Sequence, residues 1–144
     1  MSATLIAQTL NVTYNQKTIS VDIAKMPHSE QKVMDHHTNK ERTYSCVPLA
    51  PVLAAAGVPQ KEALRGPLMS LILVANAKDN YRAVFALAEL DEGTGSTVAF
   101  VCDAESGKPL VEADAPLKLL VTTDKRPARS VRMLTGITIV DAPK

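Results

Sequence analysis

Ser70-Leu-Ile-Leu-Val-Ala-Asn-Ala77, then Lys78-Asp79-Asn80, then Tyr81-Arg-Ala-Val-Phe-Ala86, is the stretch on which the fold turns. Two runs rich in aliphatic and aromatic residues flank three polar turn formers, which reads as a β-hairpin. The N-terminal part repeats the pattern. Leu10, Val12 and Tyr14 alternate with polar neighbours, and Ile19, Val21 and Ile23 do the same after Asn15-Gln16-Lys17. A period of two is that of half-buried strands. Further strands are expected at Thr43–Val47, Thr97–Cys102, Leu117–Thr122 and Gly136–Val140, with a turn over Ser106–Pro109. The run Thr97–Cys102 is too apolar to face water on either side. His28–Thr38 is polar and reads as a strand entering a loop, and Asp91–Gly95 reads as a loop.

Helical signals are few. Pro48–Ala56 followed by Gly57 is the clearest: proline in the first turn, alanines inside, and a glycine stop. Leu49, Val52, Leu53 and Ala56 share one face at helical spacing and should pack on the sheet. Asp22–Met26 and Leu87–Leu90 read as single helical turns. Strands outnumber helices without βαβ alternation, so the fold class is α+β, with mixed or antiparallel sheets.

The whole chain, residues 1–144, fits one domain, and no linker or repeat divides it. Apolar residues at 46% against 22% charged ones argue against disorder. With three Tyr, two Phe and no Trp, the core must come from Val, Leu, Ile and Ala. The same scarcity argues against an aromatic platform for nucleic-acid bases. A net charge of +1 gives no global pull toward nucleic acid or a membrane surface. The longest apolar stretch, Leu68–Ala77, is too short for a bilayer. Met1-Ser-Ala-Thr-Leu-Ile-Ala-Gln8 is no export signal as written, although a trimmed signal would leave such a start. The compartment is therefore open: periplasmic in that case, cytoplasmic otherwise.

Cys46 and Cys102 lie in apolar surroundings and outside any Cys-x-x-Cys pair, so the expectation is two buried, inert thiols, with a disulfide as the alternative. His36 and His37, if on a strand, point to opposite faces and cannot easily share one metal. Cys46 has no evident base partner for nucleophilic chemistry. Gly93-Thr-Gly95 precedes a strand instead of a helix, so it is no dinucleotide loop. The acidic turn Glu89, Asp91 and Glu92 reads as a cap. No catalytic residue and no metal ligand are assigned.

The strongest local feature is Lys125-Arg126-Pro127-Ala128-Arg129-Ser130-Val131-Arg132, with four cations in eight residues. Arginine forks match phosphate oxygens bidentately, and Ser130 can add a hydroxyl. The competing reading is a solvated loop whose arginines pair with carboxylates such as Asp124 or Glu112.

Three stretches together resemble the sulfite oxidase-like molybdopterin-binding domain family. They are Tyr44-Ser-Cys-Val-Pro-Leu followed by the helix, Ala77-Lys-Asp-Asn-Tyr81 with Phe85-Ala-Leu-Ala-Glu-Leu90, and Gly107-Lys-Pro-Leu110 through Asp124-Lys-Arg-Pro-Ala-Arg-Ser-Val-Arg-Met133. The resemblance implies that family's mixed-sheet fold and a pterin phosphate held by Arg129, Ser130 and Arg132, with Lys125 and Arg126 nearby. The expected role is a binding module for a phosphate-bearing small molecule, molybdopterin or another anion. Catalytic members carry a molybdenum-binding cysteine upstream of the Val-Pro-Leu helix; here Gln31-Lys-Val-Met-Asp-His-His37 contains none. Two alternatives stand beside this. One is a molybdenum-pterin oxidoreductase using Cys46 or a histidine as ligand. The other is a degenerate scaffold for protein–protein contact.

Overall fold

The computed structural model describes residues 8–144, and the chain start discussed above, residues 1–7, lies outside them. Ten strands and one α-helix make up the regular structure of the described residues. The N-terminal hairpin is β1 (Thr9–Tyr14) and β2 (Lys17–Asp22). Asn15 and Gln16 both take positive φ, the conformation that matches a two-residue turn to strand twist. One helical turn over Ile23–Lys25 leads into β3 (Ser29–Asp35) and β4 (Lys40–Pro48), then α1 (Leu49–Ala55). The second hairpin is β5 (Leu71–Ala77) and β6 (Arg82–Ala86), followed by a helical turn over Leu87–Leu90. The chain finishes with β7 (Ala99–Glu105), β8 (Lys108–Pro109), β9 (Lys118–Val121) and β10 (Leu134–Asp141).

Two sheets result. The first runs β2-β1-β10-β5-β6, and its centre joins β1 to β10 in parallel, so both ends of the described chain meet there. The second runs β3-β4-β7-β8, with β9 also on β7. The expected α+β class with mixed strand directions is observed. The stretch 28–38, read as a strand entering a loop, is an edge strand whose residues are partly or fully exposed, which is why it lacks an apolar period.

The main core joins Leu10 and Val12 of β1, Leu73 and Ala75 of β5, Phe85 of β6 and Ile137 of β10 to Val47, Val101 and Leu119 of the second sheet. Leu49, Val52 and Leu53 of α1 enter the same core, as their spacing predicted. Gly57 ends the helix at φ 77°, where a side chain would be strained. A smaller apolar cluster of Tyr44, Cys46, Cys102, Leu110 and Leu120 forms separately from the main one.

The cysteine expectation is overturned: Cys46 and Cys102 form a disulfide. They are direct partners in the β4–β7 pairing, a long-range register that local sequence does not show. Beside them β7 carries one extra residue, Asp103, between the partners of Ser45 and Cys46. This bulge directs Asp103 at His28, with Oδ2 2.9 Å from Nε2.

The bridge joins cysteines 56 positions apart in the chain. Removing it by C46A/C102A should lower the unfolding free energy by roughly 2–4 kcal/mol, since the unfolded chain regains loop entropy. Chemical denaturation measures this; an unchanged midpoint at unchanged slope would refute it.

Candidate functional site

The basic stretch links β9 to β10. Pro127 fixes the start of a single helical turn, Pro127–Arg129, and the Ser130 N–H closes it onto the Pro127 carbonyl at 3.0 Å. Arg129 then points back into the protein. Its Nε and Nη2 donate to the two oxygens of Asp124 at 2.9 and 2.8 Å, a bidentate fork. Nη1 donates to Glu89 Oε1 at 3.1 Å and to the Val84 carbonyl of edge strand β6 at 3.4 Å. The guanidinium also lies over the buried Phe85 ring, 4.3 Å from its centroid.

Glu89 is fixed in turn by the Ala86 N–H and the Thr97 hydroxyl, each at 2.9 Å. Hydrogen bonding to Asp124 foremost, against partial burial, raises the Arg129 pKa still further. Asp124 is held below the usual carboxylate range chiefly by the hydrogen bond from Arg129. Burial pushes Glu89 up, but the bonds from Ala86, Thr97 and Arg129 together outweigh it and leave its pKa lowered.

Ser130 is buried, and its hydroxyl accepts the Val121 N–H at 3.0 Å. Lys125, Arg126 and Arg132 are exposed and have no carboxylate partner among the described residues. Arg129 packs on β6, whereas Arg132 lies on the side of Lys118, whose pKa its charge helps to lower after burial and Arg42. The structure thus divides the expected grip. Each guanidinium nitrogen of Arg129 already has an acceptor and the Ser130 oxygen is turned inward, so these two do not fit a pterin phosphate. The competing reading named Asp124 as a partner, and that pairing is present; Glu112 takes no part in it.

A second charged cluster was missed from sequence. Arg42 on β4 forks to Glu105 on β7 at 2.9 and 2.7 Å and reaches Asp114 at 3.0 Å, with Asp35 at 3.6 Å. Buried Lys118 stands 3.8 Å from Asp114, and both cations flank the Tyr44 ring at 5.2 and 5.6 Å. Burial lowers the Lys118 pKa while Asp114 opposes it, and burial raises that of Tyr44. One signal was available: Lys118 is a charge inside the otherwise apolar run Leu117–Val121.

The remaining candidates are structural. His28 contacts the Met26 carbonyl at 2.6 Å and Asp103, while His36 and His37 are exposed after β3. Cys46 has its sulfur in the disulfide, so it offers no thiolate to a metal. Asp91 brackets two loops by accepting from the Lys61 and Gly93 N–H groups. Gly95 approaches Glu89 so closely that a Cβ would lie 2.5 Å from its carbonyl oxygen. No protein-family model matches this chain, and no curated protein matches its sequence.

The Arg129 clamp has a measurable signature. Because the folded pKa values of Asp124 and Glu89 are lowered, their contribution is complete above pH of about 5, beyond the unfolded carboxyl range, and is lost as pH falls through those lowered values. R129A should cost about 1–2 kcal/mol at neutral pH, allowing for solvent screening of a partly exposed pair. It should also flatten the acid limb of the stability curve. Urea titrations at pH 7 and pH 3 measure both, and equal losses in parent and variant between these pH values would contradict the clamp.

Proposed function

We propose that this chain is a non-catalytic interaction domain on a sulfite oxidase-like scaffold, whose basic turn serves as an internal clamp. The observation that carries this reading is that Asp124, Glu89 and the Val84 carbonyl together engage all three guanidinium nitrogens of Arg129. An arginine meant for phosphate must keep its fork open, and here a carboxylate of the same chain fills it. The disulfide adds that the domain works where thiols are oxidised, an extracytoplasmic setting.

A second reading rests on Lys125, Arg126 and Arg132, which are exposed and have no carboxylate partner among the described residues. Through them the turn holds a phosphate-bearing ligand, the molybdopterin implied by the resemblance or a simpler anion. Arg129 and Ser130 then only shape the turn.

Native mass spectrometry and metal analysis separate the two, on protein produced in a host that makes the molybdenum cofactor. The interaction-domain reading expects the mass of the bare chain, no molybdenum, and no saturable uptake of pyrophosphate in calorimetry. A co-purifying pterin overturns it. Saturable pyrophosphate binding that is lost in R126E/R132E also overturns it, in favour of the second reading.

A further inference from the structure

Alternation along β10, β5 and β6 sends Ile137, Ile139, Leu73, Ala75 and Phe85 into the core. The residues between them face outward, and a solvated sheet face would carry polar side chains there. Instead, pairing aligns Val140 with Ile72 and Ala86 in one row, and Thr138 with Val74 and Val84 in the next. Val84 is 51% exposed and Val140 41% exposed, while Ile72 and Val74 are half-buried. The other half of the same face is polar and internally bonded. Thr13 pairs with Thr18 and Ser20 donates to Asn11, each at 2.8 Å. An apolar strip thus occupies only the β10–β5–β6 side.

That strip ends on positive charge. The next row aligns Gly136, Asn76 and Arg82, and Arg82 is exposed. Beyond it comes the β5–β6 turn with exposed Lys78. The Lys78 N–H donates to the Met133 carbonyl at 2.8 Å, and the Tyr81 hydroxyl donates to the Ala128 carbonyl. These two bonds dock the hairpin tip on the chain between β9 and β10, which fixes the tip that carries Lys78 and Arg82 at one end of the strip. Asp79 is the acid of this tip, and its carboxylate accepts the Tyr81 N–H. The acids beside the basic turn, Asp124 and Glu89, are spent on Arg129.

We infer that the outward β10–β5–β6 face docks a protein partner that presents an apolar strip with carboxylates at the end meeting Arg82 and Lys78. This rests on the interaction-domain reading and names its surface. A flat row of Val, Ile and Ala fits another sheet or helix face. It lacks the Trp, Phe and Leu side chains that insert into a lipid surface. Charge complementarity sets the partner's polarity along the strip. A second copy of this chain brings no excess of carboxylates to that end.

Photo-crosslinking in the producing cells tests this, with benzoylphenylalanine placed at Val84, at Val140 and, on the polar half, at Thr18. Adducts are expected at the first two positions only. The crosslinked peptide of the partner should contain apolar residues next to Asp or Glu. R82E should reduce the adduct roughly tenfold while leaving the denaturation midpoint unchanged. Equal adducts at Thr18 and Val84, or none at any of the three positions, overturn the inference. So do crosslinks solely to another copy of this chain, or sedimentation of the purified protein with phosphatidylglycerol vesicles. Partner crosslinks at Thr18 alone sink this surface but leave the interaction-domain reading standing, which fails instead on a bound pterin.

Discussion

Arg129 is the point at which the separate parts of this domain are tied. It leaves the turn after β9 in the second sheet and reaches the edge strand β6 and the Leu87–Leu90 turn beside the first. Its planar fork engages Asp124 in the same turn, and its face covers the Phe85 ring. A lysine could supply the charge but not the bidentate fork or the stacking. The contact with the Val84 carbonyl also occupies an acceptor on an exposed sheet edge, where unpaired groups invite other strands. One side chain therefore fixes the turn, blunts the edge and holds Glu89 at the close approach that only Gly95 permits.

Arg42 repeats this chemistry elsewhere. It gathers Glu105, Asp114 and Asp35 near the Tyr44 ring, beside the apolar cluster that holds the disulfide. In both places an arginine collects two or more acids around an aromatic side chain. The chain's near-balance of 16 basic and 15 acidic residues thus conceals a division of labour. Acids cluster on the half-buried Arg42 and Arg129 and beside buried Lys118, and Lys78, Arg82, Lys125 and Arg126 are left exposed. Exposed Lys78 and Arg82 at the hairpin tip, and Lys125 and Arg126 on the basic turn, are what that allocation leaves over, although the total charge gives no hint of it.

Local pattern carried most of the fold. The two hairpins were legible because apolar residues, alternating in the first and continuous in the second, flank short polar turns, and α1 because Pro48, its alanines and Gly57 punctuate it. Strand β3 was harder, since an edge strand with exposed Glu30, Lys32 and Met34 has no apolar period to show. The parallel pairing of β1 with β10 joins residues more than a hundred positions apart, and no local signal encodes that. The disulfide failed for a related reason: Cys46 and Cys102 become neighbours only through the β4–β7 register. Of the candidate site, Asp124 was visible as a partner because it stands five residues from Arg129. Glu89 stands forty residues away and was read as part of a cap, which it also is, through the Ala86 N–H.

The difficulty at Arg129 is general to arginine-rich turns. A carboxylate and a phosphate present the same pair of oxygens to a guanidinium fork, so the residue types suited to one are suited to the other. The two uses differ in where the matching anion comes from. When it belongs to the same chain, the ion pair forms during folding and the fork is spent on stability. When it belongs to a ligand, the cations must remain close together without internal acids, at a cost in mutual repulsion. Here the acids are supplied from Asp124 and Glu89. At Arg129 the anion comes from the same chain, and the fork is spent on holding the turn to the first sheet.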